Sequence, residues 1–331
     1  MQILYDAPLP DESVEEIRRL VPGVKLTETP LKTPRELLAD AEILYTQVAD
    51  FDPADAPRLR LVQTNSAATQ GVWGKPVLKT AIPVCNASGA YSAAVAECTF
   101  GMLLALTRRI VRGVHFQQES RWPPDDGYEP WAGFDLYGTT LGIVGYGSIG
   151  RQVARLAQAM NMNVLACKRR PEVHRDDTYL LPNSGDPKGL IPSAWYGIDR
   201  VREMFARCDF VVVTLPEVPT TVKLLGATEL AALPKHSWLV NVGRGKVIDE
   251  PVLIRILEEG RIAGAALDVV AQEPLPPESP LWKLPNVLIM PHIASWTVLQ
   301  AQRAAGVLIE NLRRDLAGEP LVNQIDKELL Y

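Results

Sequence analysis

What this 331-residue chain lacks narrows its chemistry first. It has only four cysteines, Cys85, Cys98, Cys167 and Cys208, scattered along the chain with no C-x-x-C pair and no nearby histidine. A disulfide framework is thereby excluded and a zinc site disfavoured, which leaves each thiol as a small core residue and no metal expected. No apolar run approaches the roughly 18 residues needed to cross a bilayer; the longest candidate lies at residues 102–106. The opening MQILYDAPLP has neither the basic nor the long apolar region of a signal peptide. The expectation is a soluble, cytoplasmic protein with no membrane partner. Positive charge is not in excess either: Lys plus Arg is 34 against 39 for Asp plus Glu, a formal −5. Such a chain has no general attraction for phosphate backbones, so no nucleic-acid partner is expected. Histidine is as scarce as cysteine, and any histidine-dependent mechanism must draw on His115, His174, His236 or His292.

What is present reads as two globular domains, at about 150 residues per domain. Short apolar runs at residues 3–6, 24–29, 43–46, 61–65 and 83–86 alternate with helical stretches near 13–20 and 34–40. Alternation of this kind implies a parallel, doubly wound α/β layer. A long helix is expected over residues 92–112, with Ser92 as N-cap and an apolar face of Val95, Thr99, Met102, Leu103 and Leu106. The segment 116–138 that follows is rich in Pro, Gly and Trp, a linker or extended arm. A second series of near-continuous apolar runs, at 141–145, 163–168, 209–216, 237–243, 263–270 and 286–294, has the pattern of strands buried on both faces of a parallel sheet. Residues 176–196, with several Pro and Gly, read as a surface insertion, and a helix over 298–318 precedes a tail, LVNQID, expected to dock back on the first domain. The fold class is thus α/β with two doubly wound parallel-sheet domains, one of residues 1–110 plus 298–331 and the other of residues 111–297.

Chemistry concentrates in the second domain. Gly145-Tyr146-Gly147-Ser148-Ile149-Gly150 lies between an apolar strand and the amphipathic run RQVARLAQAM. In strand-turn-helix context the first Gly allows the tight turn, the second lets backbone approach a pyrophosphate and the third lets helix and strand pack closely. Where the next strand ends, an acidic residue would ordinarily accept hydrogen bonds from the adenosine ribose. Here stand Lys168, Arg169 and Arg170, which suit a 2′-phosphate and favour NADP(H), with NAD(H) as the lesser possibility. Ligands of parallel sheets bind at the carboxyl ends of strands, and there the chain places Thr214-Leu215-Pro216, Arg244, Asp268, Glu273 and His292. Arg244 can fork onto a carboxylate, His292 can exchange a proton with a substrate oxygen, and Glu273 can hold the far ring nitrogen. The set suits a 2-oxoacid. Of the other histidines, His236 precedes a strand and so stands at the wrong edge of the sheet.

The succession GYGSIG, VNVGRGKVID, GAALDVVAQEPLP, PLWKLPNVLIMPHIAS resembles the D-isomer-specific 2-hydroxyacid dehydrogenases, which include glyoxylate/hydroxypyruvate reductases. The resemblance covers about residues 40–325. It implies a flavodoxin-like substrate domain beside a Rossmann dinucleotide-binding domain, and a catalytic trio that falls on Arg244, Glu273 and His292. It further assigns Thr99, the 214–216 stretch, Val242, Gly243, Asp268 and Ala294 to the cofactor, places Glu97 near the cleft, and puts backbone amides of the first domain against the substrate carboxylate. The matching loop is Asn65-Ser66-Ala67-Ala68-Thr69-Gln70-Gly71, where alanine replaces a usual glycine, so Ala67 and Ala68 are the candidates. Members are usually homodimers, with residues 121–134 a candidate contact. The substrate's side chain would depend on Trp73, Tyr91 and Trp296. The implied reaction is reduction of a small 2-oxoacid to a D-2-hydroxyacid. Another acid such as 3-phosphoglycerate, phosphite or formate, and a cofactor-sensing corepressor-like binding protein, are the alternatives; Glu273 argues against formate, whose relatives lack that partner.

Overall fold

A computed structural model describes residues 1–30, 33–122 and 132–330 of the chain. It resolves into two units, residues 1–92, 177–182 and 296–331 in one, and residues 93–176 and 183–295 in the other.

In the first unit, β1 (Gln2–Tyr5), β2 (Lys25–Glu28), β3 (Ile43–Thr46), β4 (Leu61–Thr64) and β5 (Val84–Cys85) form one parallel sheet in the order β2-β1-β3-β4-β5. This is the flavodoxin-like winding. Its strands are short and its middle ones, ILYT and LVQT, are wholly buried, as a sheet covered on both faces requires. Helix α1 (Asp11–Leu20) has Asp11 and Glu12 in its first turn and Arg18 and Arg19 in its last, each charge complementing the helix dipole. Helix α2 (Arg35–Leu38) is a single turn. The C-terminal segment does return to this sheet. Asn311, fully buried, donates to Gln63 Oε1 of β4 at 2.7 Å and accepts from Val322 N, while Ile325 N donates to Val84 O. Two buried amides thus satisfy each other where either alone would be costly.

In the second unit, β6 (Thr140–Val144), β7 (Asn163–Cys167), β8 (Ala194–Tyr196), β9 (Phe210–Val213), β10 (Trp238–Asn241), β11 (Gly264–Leu267) and β12 (Val287–Ile289) pair in parallel in the order β12-β11-β10-β9-β6-β7-β8. Six of them reproduce the Rossmann winding, with β12 added at one edge. Cys167 and Cys208 here, like Cys85 in the first unit, are buried, and burial pushes each thiol up to about 12. They are inert core residues.

Three expectations change. The long helix is two: α3 (Ser92–Thr107) stops, Arg109 turns left-handed at φ 57°, and α4 (Ile110–Gln118) begins anew. Phe134 N caps the break by donating to Thr107 O at 2.7 Å, a long-range contact without a local sequence signal. The first unit boundary falls after residue 92, not 110, because α3 clusters with the second unit; an apolar helix with no polar stripe does not disclose which neighbour it joins. The 176–196 insertion ends in β8, and its residues 177–182 belong to the first unit. Most of the Trp-rich segment 121–134 lies outside the described residues.

Candidate active site

The glycine turn comes first, because the packing of β6 against α5 (Ser148–Ala159) dictates it. Gly145 has φ 101°, a conformation that side-chain-bearing residues rarely adopt. A methyl on Gly150 would lie 2.2 Å from Gly145 O, whereas one on Gly147 would meet nothing within 4 Å. Gly150 is therefore required by packing, and Gly147 leaves open space above the first turn of α5, where amide N–H groups lack helical partners. This cradle fits a dinucleotide pyrophosphate. Ser148 starts the helix and is buried, and Ile149 is half-buried.

Several side chains assigned to the cofactor are engaged in building the cradle. Thr214 Oγ1 donates to Gly145 O at 2.6 Å, and Leu215 packs against Gly145. Pro216 is exposed just beyond. Tyr146 is turned away from solvent and donates its hydroxyl to Asp186 Oδ2 at 2.8 Å. Lys168 Nζ donates to Val173 O at 2.8 Å, and its desolvation lowers its pKa, whereas Arg169 and Arg170 are exposed at the end of β7. Thr99 is fully buried, its hydroxyl donating to Val95 O within α3. Glu97 is exposed.

At the end of β10, Asn241 Oδ1 accepts from Gly243 N and Asn241 Nδ2 donates to Arg244 O, each at 3.1 Å. A Cβ on Gly243 would lie 2.5 Å from Leu215 O, and one on Gly245 1.9 Å from Val270 backbone. Glycine on both sides thus lets the turn sink between its neighbours, with Val242 buried beneath it. Arg244 is half-buried in the field of Glu273, Glu217 and Asp268; burial pulls its pKa down and those carboxylates oppose the shift. It remains a forked cation.

The third strand end places a histidine against a carboxylate. His292 Nδ1 is 2.7 Å from Glu273 Oε2, and Glu273 Oε1 accepts from Val270 N at 3.2 Å. The contact uses Nδ1 and leaves Nε2 as the ring nitrogen that Glu273 does not engage. Asp268 organises this loop. His292 N donates to Asp268 O at 2.8 Å, while Asp268 Oδ1 accepts from Ile293 N and Ala294 N at 2.9 and 3.1 Å. The family resemblance assigns Asp268 and Ala294 to the cofactor; in the structure they form the mount that holds His292 at φ 55°. Burial raises the Asp268 pKa against the pull of those two amides and of His292.

In the first unit, the loop after β4 is tied at several points. Ser66 O accepts from Ala87 N and from Thr64 Oγ1, Asn65 O accepts from the Tyr91 hydroxyl, and Trp73 Nε1 donates to Thr69 Oγ1. Ala68 N donates to Ser66 Oγ at 3.0 Å, so of the two candidate amides Ala68 already serves its own loop. Serine at that offset is the turn-forming signal that could have predicted this. Trp296 is largely exposed. Among the described residues no group of three metal-ligating side chains occurs, and no helix is long and apolar enough to cross a membrane.

A Rossmann sheet with a glycine cradle at one strand end, and an arginine and a carboxylate-paired histidine at others, has the layout of a nicotinamide-dependent oxidoreductase. The profile described as D-isomer specific 2-hydroxyacid dehydrogenase, NAD binding domain, matches residues 100–294. The chain is 33% identical to a glyoxylate reductase of Korarchaeum cryptofilum over 89% of its length and 86% of the relative's. It is 30% identical to a D-3-phosphoglycerate dehydrogenase of Methanocaldococcus jannaschii over 98% of this chain but 59% of that enzyme. Among solved structures, a D-isomer specific 2-hydroxyacid dehydrogenase of Xanthobacter autotrophicus in complex with NADPH superimposes with a TM-score of 0.76, at 27% identity, over 100% of this chain and 99% of that one. The chain belongs to the D-isomer-specific 2-hydroxyacid dehydrogenase family.

Proposed function

We propose that the protein reduces a small 2-oxoacid of the glyoxylate or hydroxypyruvate kind to a D-2-hydroxyacid, with NADPH preferred to NADH. The observation that carries the reading is the 2.7 Å pair of His292 and Glu273 at the strand ends that also present Arg244. The glycine cradle, the cationic end of β7 and the 214–216 turn would hold the dinucleotide, which when bound supplies hydride to C2 of the substrate. Arg244 binds the substrate carboxylate through its fork and polarises the neighbouring carbonyl oxygen. His292 donates the proton from Nε2 to that oxygen, and Glu273 stabilises the imidazolium before transfer and resets the tautomer afterwards. The Ala67 amide of the first unit is assigned a carboxylate contact on the family pattern. The names of the relatives support a glyoxylate-like substrate, and the NADPH complex of the structural neighbour supports the cofactor.

A phosphorylated acid is the less favoured substrate, although one relative is a phosphoglycerate enzyme. The 65–71 loop holds no cation, and Lys75 beyond it is 3.0 Å from Asp50 Oδ1. We also propose that a second copy of this chain covers α4. None of its residues is buried within its unit, and Ile110, Val111 and Val114 make one exposed apolar stripe.

The test is His292→Asn with glyoxylate and NADPH, following NADPH absorbance. Loss of about 10²-fold or more in kcat with unchanged NADPH affinity is expected; near-normal turnover removes His292 from its role.

A further inference from the structure

The insertion between β7 and β8 is gripped by a single buried side chain. Arg151 lies in the first turn of α5, directly after the glycine motif, and is 0% exposed. A guanidinium out of water is costly unless its donors are met. Nε donates to Asp176 Oδ2 at 3.1 Å, Nη2 to His174 O at 2.7 Å and Nη1 to Asp186 O, while its plane covers the Tyr146 ring at 4.9 Å. All three acceptors lie in the connection from β7 to β8, Asp176 and Asp186 within the 176–196 insertion and His174 just before it. His174 and Asp176 lie on the connection's outgoing limb and Asp186 on its returning limb, so one side chain of the phosphate-binding helix clamps both.

Each limb is secured further. On the returning limb, Asp186 accepts from the Tyr146 hydroxyl and from Leu190 N and Ile191 N, and Gly185 N donates to Gln152 Oε1 of α5. On the outgoing limb, Val173 N donates to Arg170 O at 3.1 Å, Lys168 Nζ donates to Val173 O, and the His174 ring stacks on Trp195 at 4.4 Å. The cations at residues 168–170 therefore sit on a turn fixed at one end by β7. At the other end it is fixed by His174, whose carbonyl Arg151 holds.

We propose that Arg151 is a positioning residue for 2′-phosphate recognition: it registers the cationic 168–170 turn against the pyrophosphate-binding start of α5. The inference rests on the NADPH reading above. Arg169 and Arg170 are long and exposed, and ordering such side chains on a ligand is entropically expensive unless their backbone is already fixed. The clamp supplies that fixed backbone. NADH carries no 2′-phosphate for the cations of the turn to pair with, so loosening the clamp weakens NADPH more than NADH.

The experiment titrates purified full-length protein with NADPH, NADH and 2′,5′-ADP, by fluorescence or calorimetry, alongside a melting curve. Arg151→Gln is expected to weaken NADPH and 2′,5′-ADP at least about tenfold, the scale of one charge-assisted contact, with NADH affinity retained. Asp176→Asn, at the partly exposed end of the clamp, keeps Arg151 in place and is expected to move the same ratio by about threefold, a lesser effect because both carbonyl acceptors remain. It decides the matter if Arg151→Gln fails to fold. Arg151→Lys, charged but unforked, should fall between wild type and Arg151→Gln. Parallel loss of NADPH and NADH, or an unchanged ratio in Asp176→Asn, overturns the proposal and leaves Arg151 purely structural. A wild-type protein that does not distinguish the two cofactors overturns the NADPH reading and this inference together, whereas a selective wild type with unchanged variants overturns this inference alone.

Discussion

His292 depends on Asp268 more than its place in the sequence discloses. The Asp268 carboxylate oxygen Oδ1 holds the amides of residues 293 and 294 while its backbone carbonyl holds that of 292. Removing the carboxylate should leave two amides unsatisfied at about 1–3 kcal/mol each and let the imidazole drift. Asp268→Ala is accordingly expected to lower kcat by roughly tenfold or more, whereas Asp268→Asn keeps an acceptor and retains most activity. The pKa direction gives a second readout. A carboxyl raised above its ordinary 3.8 binds its proton more tightly in the folded state. Its contribution to stability is present below the unfolded pKa and lost as pH rises through the folded one. In melting curves across pH, Asp268→Asn should therefore lose less stability than wild type as pH rises above 3.8; identical slopes would contradict the burial argument.

At the scale of elements, the strand-turn-helix of β6 and α5 separates two uses of glycine. Gly150→Ala must push its methyl against the Gly145 carbonyl at 2.2 Å, an overpacking of about 1–3 kcal/mol, and should melt earlier and bind NADPH more weakly. Gly147→Ala has open space and should melt like wild type yet still lose NADPH affinity, since the added methyl stands where phosphate approaches. Equal melting temperatures for the two variants would refute that division. The same elements show how far local pattern reaches. Period and glycine spacing located β6, the turn and α5 in the sequence. They did not disclose that Tyr146 and Arg151 point into the insertion, because their partners Asp176 and Asp186 lie some tens of residues away with no local periodicity to mark them.

For the whole molecule, the apolar stripe on α4 carries the assembly prediction. Sedimentation should show a dimer, and Val114→Glu should shift it toward monomer, because a charge placed on an apolar contact is desolvated without a partner. A monomeric wild type would refute the assignment of α4. The order of the Arg, Glu and His motifs along the chain was legible because each follows an apolar strand, and parallel strands bring their carboxyl ends to one edge whatever their separation in sequence.

The sequence by itself determined two parallel α/β layers, the glycine turn between β6 and α5, and the one histidine of four that follows a strand at the carboxyl edge of the sheet. These rest on short-range rules: alternation, strand burial and glycine geometry operate within a few residues. Only the tertiary structure decided that α3 clusters with the second unit and that residues 177–182 cluster with the first. It also decided that the Ala68 amide is taken up by Ser66, and that the Lys168 ammonium is engaged by Val173. Each of those outcomes is a choice among competing hydrogen-bond and packing partners, and that choice is made by which groups the folded chain brings within about 3 Å of one another.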